Sequence, residues 1–132
     1  MKLLLDTHIW LWSLLDRQRL SSRVIAGLED SNNEVWVSPI STWEILLLAQ
    51  KRRISLDQDA APWIAHKLSS VPVREAPVTH EVVLETSRTI IPHRDPADHF
   101  LVATAKVFGL TLVTSDEKLL KTRGISVLRN RV

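Results

Sequence analysis

The stretch Lys2-Leu3-Leu4-Leu5-Asp6 decides the fold, because it is a short apolar run that ends abruptly at an acid. It has no alternation of polar and apolar residues, which is typical of a strand buried on both faces of a parallel sheet. Similar runs, separated by segments with helical character, recur at residues 34–37, 71–73, 110–113 and 125–128. This alternation predicts an α/β fold with a parallel sheet.

Helical signals fill the segments between the predicted strands. Asp95 and Pro96 have the pattern of an N-cap and a first helical residue, so Asp95 is assigned to capping, and Gly109 closes the helix. Residues 41–44 have the form of a capping box ahead of the apolar stretch 45–49. Further helices are predicted over residues 9–15, 22–28, 59–68 and 79–90. Without an internal repeat or a linker, residues 1–132 are expected to form one domain.

The composition excludes several classes of protein. With 132 residues, of which 45% are apolar and 24% charged, the chain is neither disordered nor fibrous. Its longest apolar run is far shorter than the roughly 18 residues that span a bilayer, so no membrane association is expected. Asp6 interrupts any signal sequence, and we expect a cytoplasmic protein. The absence of cysteine excludes disulfides, thiolate nucleophiles and cysteine-ligated zinc.

Basic residues are clustered, although the formal net charge is only +2. One cluster is Lys51-Arg52-Arg53, and a second lies within residues 118–131. Both clusters can be interpreted as solvated faces and helix C-terminal cations, or as contacts to a nucleic-acid backbone. Net charge does not distinguish between these interpretations.

Four acids are expected at one edge of the sheet. Asp6 directly follows the first strand, and Asp116 closely follows the strand at 110–113. Glu44 and Asp98 are predicted in the first turns of helices that run back from the same edge. Because ligand sites of parallel sheets lie beyond the carboxyl ends of the strands, the four carboxylates are predicted to converge there.

Neighbouring carboxylates raise one another's pKa unless a cation lies among them. Mg²⁺ prefers oxygen ligands and keeps several waters, which suits carboxylates supported by hydroxyls such as those of Thr7, Thr114 and Ser115. Such a centre can activate water and offset charge on a phosphodiester. The acids therefore predict phosphoryl transfer to water.

Each acid also has a structural interpretation. Glu44 could complete a capping box, and Asp98 could interact only with its helix dipole. Asp6 and Asp116 could each cap a following helix.

The histidines and tryptophans carry secondary hypotheses. His8 and His99 are each next to a proposed acid and could donate to a phosphate, although a surface position is the alternative. Trp10, Trp12 and Trp43 exceed what a small core needs, and they suggest a contact surface for another chain, with core packing as the alternative.

In this pattern the sequence resembles the PIN-domain family, and in particular the VapC-type toxins of toxin-antitoxin pairs. The resemblance spans the whole chain and depends on the order and spacing of residues 4–7, 41–45, 94–98, 103–105 and 112–116. It implies a three-layer α/β sandwich, in which helices flank a central parallel sheet of about five strands. His8 and His99 depart from the residues that are common in the family at those positions.

The resemblance also implies an activity and partners. It implies a Mg²⁺- or Mn²⁺-dependent endoribonuclease whose catalytic and metal-binding residues are Asp6, Glu44, Asp98 and Asp116. It further implies a homodimer and a small VapB-type antitoxin, with operator DNA bound only by the toxin-antitoxin complex. The alternatives are a catalytically silent RNA-binding or regulatory module with the same fold, and a metal-dependent phosphatase, for which no glycine-rich phosphate loop is present.

Overall fold

The computed structural model describes residues 1–89, 91 and 95–131, and within them five parallel strands form one sheet. The strands are β1 (Lys2–Leu5), β2 (Glu34–Val37), β3 (Arg74–Glu75), β4 (Thr111–Thr114) and β5 (Ser126–Arg129). The helices are α1 (Thr7–Leu15), α2 (Ser22–Glu29), α3 (Pro39–Gln50), α4 (Ala60–Ser70), α5 (His80–Glu85), α6 (Pro96–Phe108) and α7 (Glu117–Leu120). The sheet order β3-β2-β1-β4-β5 makes β1 the central strand.

The central strand is buried on both faces, as its sequence predicts. Leu3 and Leu5 pack with Trp10 in an apolar core between the sheet and helices α1 to α4. Leu4 points to the opposite face and packs with Leu101 in a second core beneath α6 and α7. The three leucines of β1 are at most 1% exposed, and burying each contributes on the order of 2 kcal/mol. The predicted three-layer α/β sandwich is confirmed.

The predicted position of the third strand is wrong. Residues 71–73 form a tight turn, in which the Val73 amide donates to the Val71 carbonyl at 2.8 Å. Pro72 lies at the centre of this turn and has no N–H for a sheet ladder. Pairing with β2 starts at Arg74 instead.

The helix predicted over residues 79–90 is shorter than expected. The Thr79 hydroxyl accepts a hydrogen bond from the Val82 amide at 3.1 Å and caps α5, so the helix starts at the predicted position. The α-helix ends at Glu85, and a 3₁₀ turn follows at Thr86–Arg88. Its predicted end, Ile90, lies outside the described residues, as does Arg94, the first residue of the family motif at 94–98. In the described ranges, no helix has both the length and the apolar character needed to cross a bilayer.

Candidate active site

The sheet reverses its winding direction between β1 and β4, and Asp6 lies at the carboxyl end of β1 there. The Asp6 amide donates to the Val113 carbonyl at 3.0 Å and continues the β1–β4 ladder. Asp6 Oδ2 accepts a hydrogen bond from Thr114 Oγ1 at 2.6 Å. The Asp6 carboxylate forms no N-cap hydrogen bond with α1, so the side chain faces β4 instead of capping the helix that follows it. Such a crevice is where parallel sheets bind ligands.

Burial raises the pKa of Asp6 above its ordinary value. The hydrogen bond from Thr114 and the nearby His8 oppose this effect, whereas the charge of Asp116 adds to it. Among the described residues, no lysine or arginine forms an ion pair with Asp6. Asp6 is therefore a carboxylate whose charged form costs free energy in the folded protein unless a cation joins it.

Helix α3 begins earlier than predicted, and this changes the position of Glu44. Ser38 is its N-cap, with Oγ accepting from the Ile40 amide at 3.0 Å, and Pro39 is the first helical residue. Ser41 lies inside the helix and is fully buried, so the predicted capping box at residues 41–44 is wrong. Glu44 lies in the second turn rather than the first, and it has no capping role.

Hydroxyl groups position the Glu44 side chain. Thr7 Oγ1 donates to Glu44 Oε1, and Ser41 Oγ lies 2.9 Å from the same threonine hydroxyl. Burial raises the pKa of Glu44; the bond from Thr7 opposes this, and the charges of Asp95 and Asp6 raise the pKa further. The mutual repulsion of these acids shows that they lie close enough to affect one another's ionisation.

The start of α6 places two acids at the same edge. Asp95 is the N-cap, as predicted: its Oδ1 accepts from the Ala97 amide at 3.0 Å, and Pro96 is the first helical residue. Asp98 follows in the first turn, also as predicted, and is only 8% exposed. A nearly buried acid at this position is more than a solvated helix-dipole partner.

Asp116 has the capping role that the sequence left open. Its Oδ1 accepts a hydrogen bond from the Lys118 amide at 2.8 Å at the start of the short helix α7. Its own amide donates to Thr114 Oγ1 at 3.0 Å. Thr114 thus contacts both Asp6 and Asp116 and fixes the ends of β1 and β4 relative to each other.

One cleft of about 390 Å³ collects the four predicted acids. Asp95 also lines it, although the sequence assigned this residue to capping alone; its position three residues before Asp98 is the signal that could have placed it there. The remaining lining residues are His8, Ile9, Trp12 and Ser115. Five acids from four separate parts of the sequence therefore meet at one edge of the sheet.

The donor set of this cleft fits a hard divalent cation held partly through water. No group of three or more histidine, aspartate or glutamate side chains in the described part of the chain is arranged to ligate a metal directly. Mg²⁺ commonly uses only one or two carboxylates and fills its other positions with water and substrate oxygens. The carboxylates that line the cleft, with Asp6 and Glu44 positioned by threonine hydroxyls, supply oxygen ligands of the kind that this mode of binding uses.

The two histidines and three tryptophans that carried secondary hypotheses lie in different environments. His8 is exposed and lines the cleft, whereas His99 is not among its lining residues. Trp10 is 2% exposed and belongs to the core, so the hypothesis of a contact surface is wrong for this residue. Trp43 is 53% exposed, and Trp12 is partly buried at the rim of the acidic cleft.

Fold and cleft together define the class: a small α/β protein with an acid-lined site at the switch point of a five-stranded parallel sheet. The family model of the PIN domain matches residues 3–125. The chain belongs to the PIN domain family.

Relatives support the assignment in both sequence and structure. Over 119 residues, covering 88% of each chain, the sequence is 34% identical to "Ribonuclease VapC22" of Mycobacterium tuberculosis. The fold is similar to that of VapBC2 from Rickettsia felis bound to a promoter DNA fragment, with a TM-score of 0.75, 14% identity and coverage of 99% and 100%. It is also similar to DNA-bound VapBC from Salmonella typhimurium, with a TM-score of 0.70, 15% identity and 98% coverage of both chains. The resemblance to VapC-type members of the family is confirmed.

Proposed function

We propose that the protein is a metal-dependent endoribonuclease and the toxin of a type II toxin-antitoxin pair. The observation that carries the proposal is the meeting of Asp6, Glu44, Asp98 and Asp116 in one cleft at the switch point of the sheet. The similarity to a protein named a ribonuclease, over most of both chains, supports the same activity.

Each acid has a defined part in this proposal. Asp6, Glu44, Asp98 and Asp116 would hold Mg²⁺ or Mn²⁺, which supplies charge neutralisation at a phosphodiester and lowers the pKa of water. Thr114 holds the Asp6 carboxylate towards the cleft, and Thr7 holds Glu44. Carboxylates held in place in this way would fix the position of the cation, and a positioned cation would offset the negative charge that develops on the phosphodiester.

The proposed partners follow from the family and its solved assemblies. We propose that the chain forms a homodimer in the cytoplasm and pairs with a small VapB-type antitoxin. Operator DNA would be bound through the toxin-antitoxin complex, since VapBC2 of Rickettsia felis and VapBC of Salmonella typhimurium have been solved bound to DNA.

Cleavage of single-stranded RNA by the purified chain tests the proposed activity. We expect cleavage that requires Mg²⁺ or Mn²⁺ and stops with a chelator, and a loss of at least about 100-fold in Asp6→Asn and Asp116→Asn, because an electrostatic contribution of this size is typical of such groups. Asp57→Asn is the matched control, since Asp57 is exposed and outside the cleft. RNA binding without cleavage by the wild-type chain would favour the catalytically silent module instead.

A further inference from the structure

Trp12 lies where three surface depressions meet. It lines the acidic cleft, a neighbouring groove of about 580 Å³ that also contains Arg19 and Arg53, and a shallow depression that contains Asn130. His8 lines the first two of these. A partly buried indole between an acidic site and a basic groove is neither fully in the core nor freely solvated.

The side chains around Trp12 are those that bind stacked bases. The His8 ring lies 5.8 Å from the Trp12 ring, centroid to centroid, and the Arg19 guanidinium carbon lies 5.5 Å from the Trp12 centroid. Aromatic rings and guanidinium planes are the groups on which proteins stack unpaired bases. The exposed positions of His8 and Arg19 leave this cluster open to solvent on one side.

The charge of the groove suits a phosphate backbone. Its formal charges are those of Arg19, Arg53 and Asp16, with His8 at its edge. Arg19 is paired with Asp16 at 3.3 Å, but both side chains are largely exposed, and an exposed pair of this kind contributes at most about 1 kcal/mol. Arg53 makes no ion pair within the described residues. Both guanidinium groups can therefore bind phosphates.

We propose that Trp12 is a stacking platform for one unpaired base of single-stranded RNA, and that Arg19 and Arg53 hold the adjoining backbone. The proposal rests on the proposed ribonuclease function, because it places this base next to the carboxylates. A base must leave its helix to stack on Trp12, so the platform selects single-stranded or looped RNA. The two arginines beside an indole, in a groove continuous with the acids, favour RNA over an apolar peptide as the occupant.

Binding of two ten-nucleotide probes tests the proposal, using the Asp116→Asn protein in a chelator so that no cleavage occurs. One probe is oligoadenylate, and the other is the same ribose-phosphate backbone without bases. Trp12→Leu, which keeps apolar packing, should weaken binding of oligoadenylate about 5- to 100-fold and leave binding of the abasic strand unchanged. Trp12→Phe should restore part of the affinity, and Trp43→Leu is the control on an exposed tryptophan outside the three depressions.

The arginines should behave differently from Trp12. Arg19→Ala and Arg53→Ala should each weaken the binding of both probes. Each should also reduce the slope of the logarithm of the binding constant against the logarithm of the salt concentration by about one unit. Equal effects of Trp12→Leu on the binding of both probes, or no effect on either, would overturn the proposal. Base-dependent binding at Trp12 in a wild-type chain that cleaves no RNA would refute the proposed activity while the platform stands.

Discussion

Asp6 is buried in a position that disfavours its ionised form, and it is the central acid of the candidate site. Burial raises its pKa, and the hydrogen bond from Thr114, the neighbouring His8 and a hydrogen bond from the Thr7 backbone counteract only part of this effect. Natural proteins retain such groups where function needs them, because a carboxylate of this kind lowers stability. We propose that a cation bound in the cleft offsets this cost.

Asp6→Asn should therefore stabilise the protein in the absence of divalent ions. The raised folded-state pKa means that Asp6 lowers stability at neutral pH, and this effect disappears as pH falls through the folded pKa towards the unfolded value. The variant should melt at a higher temperature than wild type at pH 7, with the difference vanishing below about pH 4. Asparagine Oδ1 can still accept from Thr114, so the geometry is kept. Thermal melting in a chelator across this pH range measures the effect, and a variant that is less stable at pH 7 would contradict it.

At the residue scale, strand ends were better predictors than helix starts. The positions of Asp6 and Asp116 at the edge of the sheet are predicted correctly, because Asp6 directly follows β1 and Asp116 follows β4 after one residue. Glu44 reached the predicted edge from a different helical turn, since two overlapping cap patterns compete around Ser38 and Ser41. Asp95 lies three residues before Asp98, and this spacing indicates that both acids can line the cleft, whereas their approach to Glu44 depends on the packing of α3 against α6.

At the scale of the element, proline and glycine set the ends of the helices that carry the acids. Ser38-Pro39 and Asp95-Pro96 begin α3 and α6 in the same way, with a polar cap followed by a proline that has no N–H to satisfy. The sequence predicts the start of α6, whereas at α3 the capping-box pattern of residues 41–44 competes with the Ser38-Pro39 signal. The third strand was misplaced for a related reason, since Pro72 shifts pairing towards Arg74.

Gly109→Ala should destabilise the protein by about 1 kcal/mol. Gly109 ends α6 with φ of 64°, a left-handed conformation that costs a residue with a Cβ about 1–2 kcal/mol, and open space around it leaves no clash to add. Gly27→Ala is the control, because Gly27 lies inside α2 and its added Cβ would meet Leu3 at an ordinary 3.5 Å. This control should be neutral or slightly stabilising. Urea denaturation compares the two, and a Gly109→Ala protein as stable as wild type would contradict the assignment.

At the scale of the whole molecule, one sheet separates two apolar cores and joins the acids at its edge. Leu3 and Leu5 belong to one core and Leu4 to the other, so neither core can unfold without exposing the central strand. We therefore propose that residues 1–132 form one domain. The alternation of strands and helices was sufficient to predict this architecture, whereas the cleft depends on which helices neighbour one another in space.

Binding of Mn²⁺ to the metal-free protein, followed by electron paramagnetic resonance, tests most directly whether the acids form one metal site. The signal of free Mn²⁺ should fall as wild type and Asp57→Asn are added, and Asp6→Asn and Asp116→Asn should take up far less of the ion, because each removes a carboxylate from the same cleft. Equal uptake of Mn²⁺ by all four proteins would show that the carboxylates do not act together, and the proposed nuclease site would be refuted.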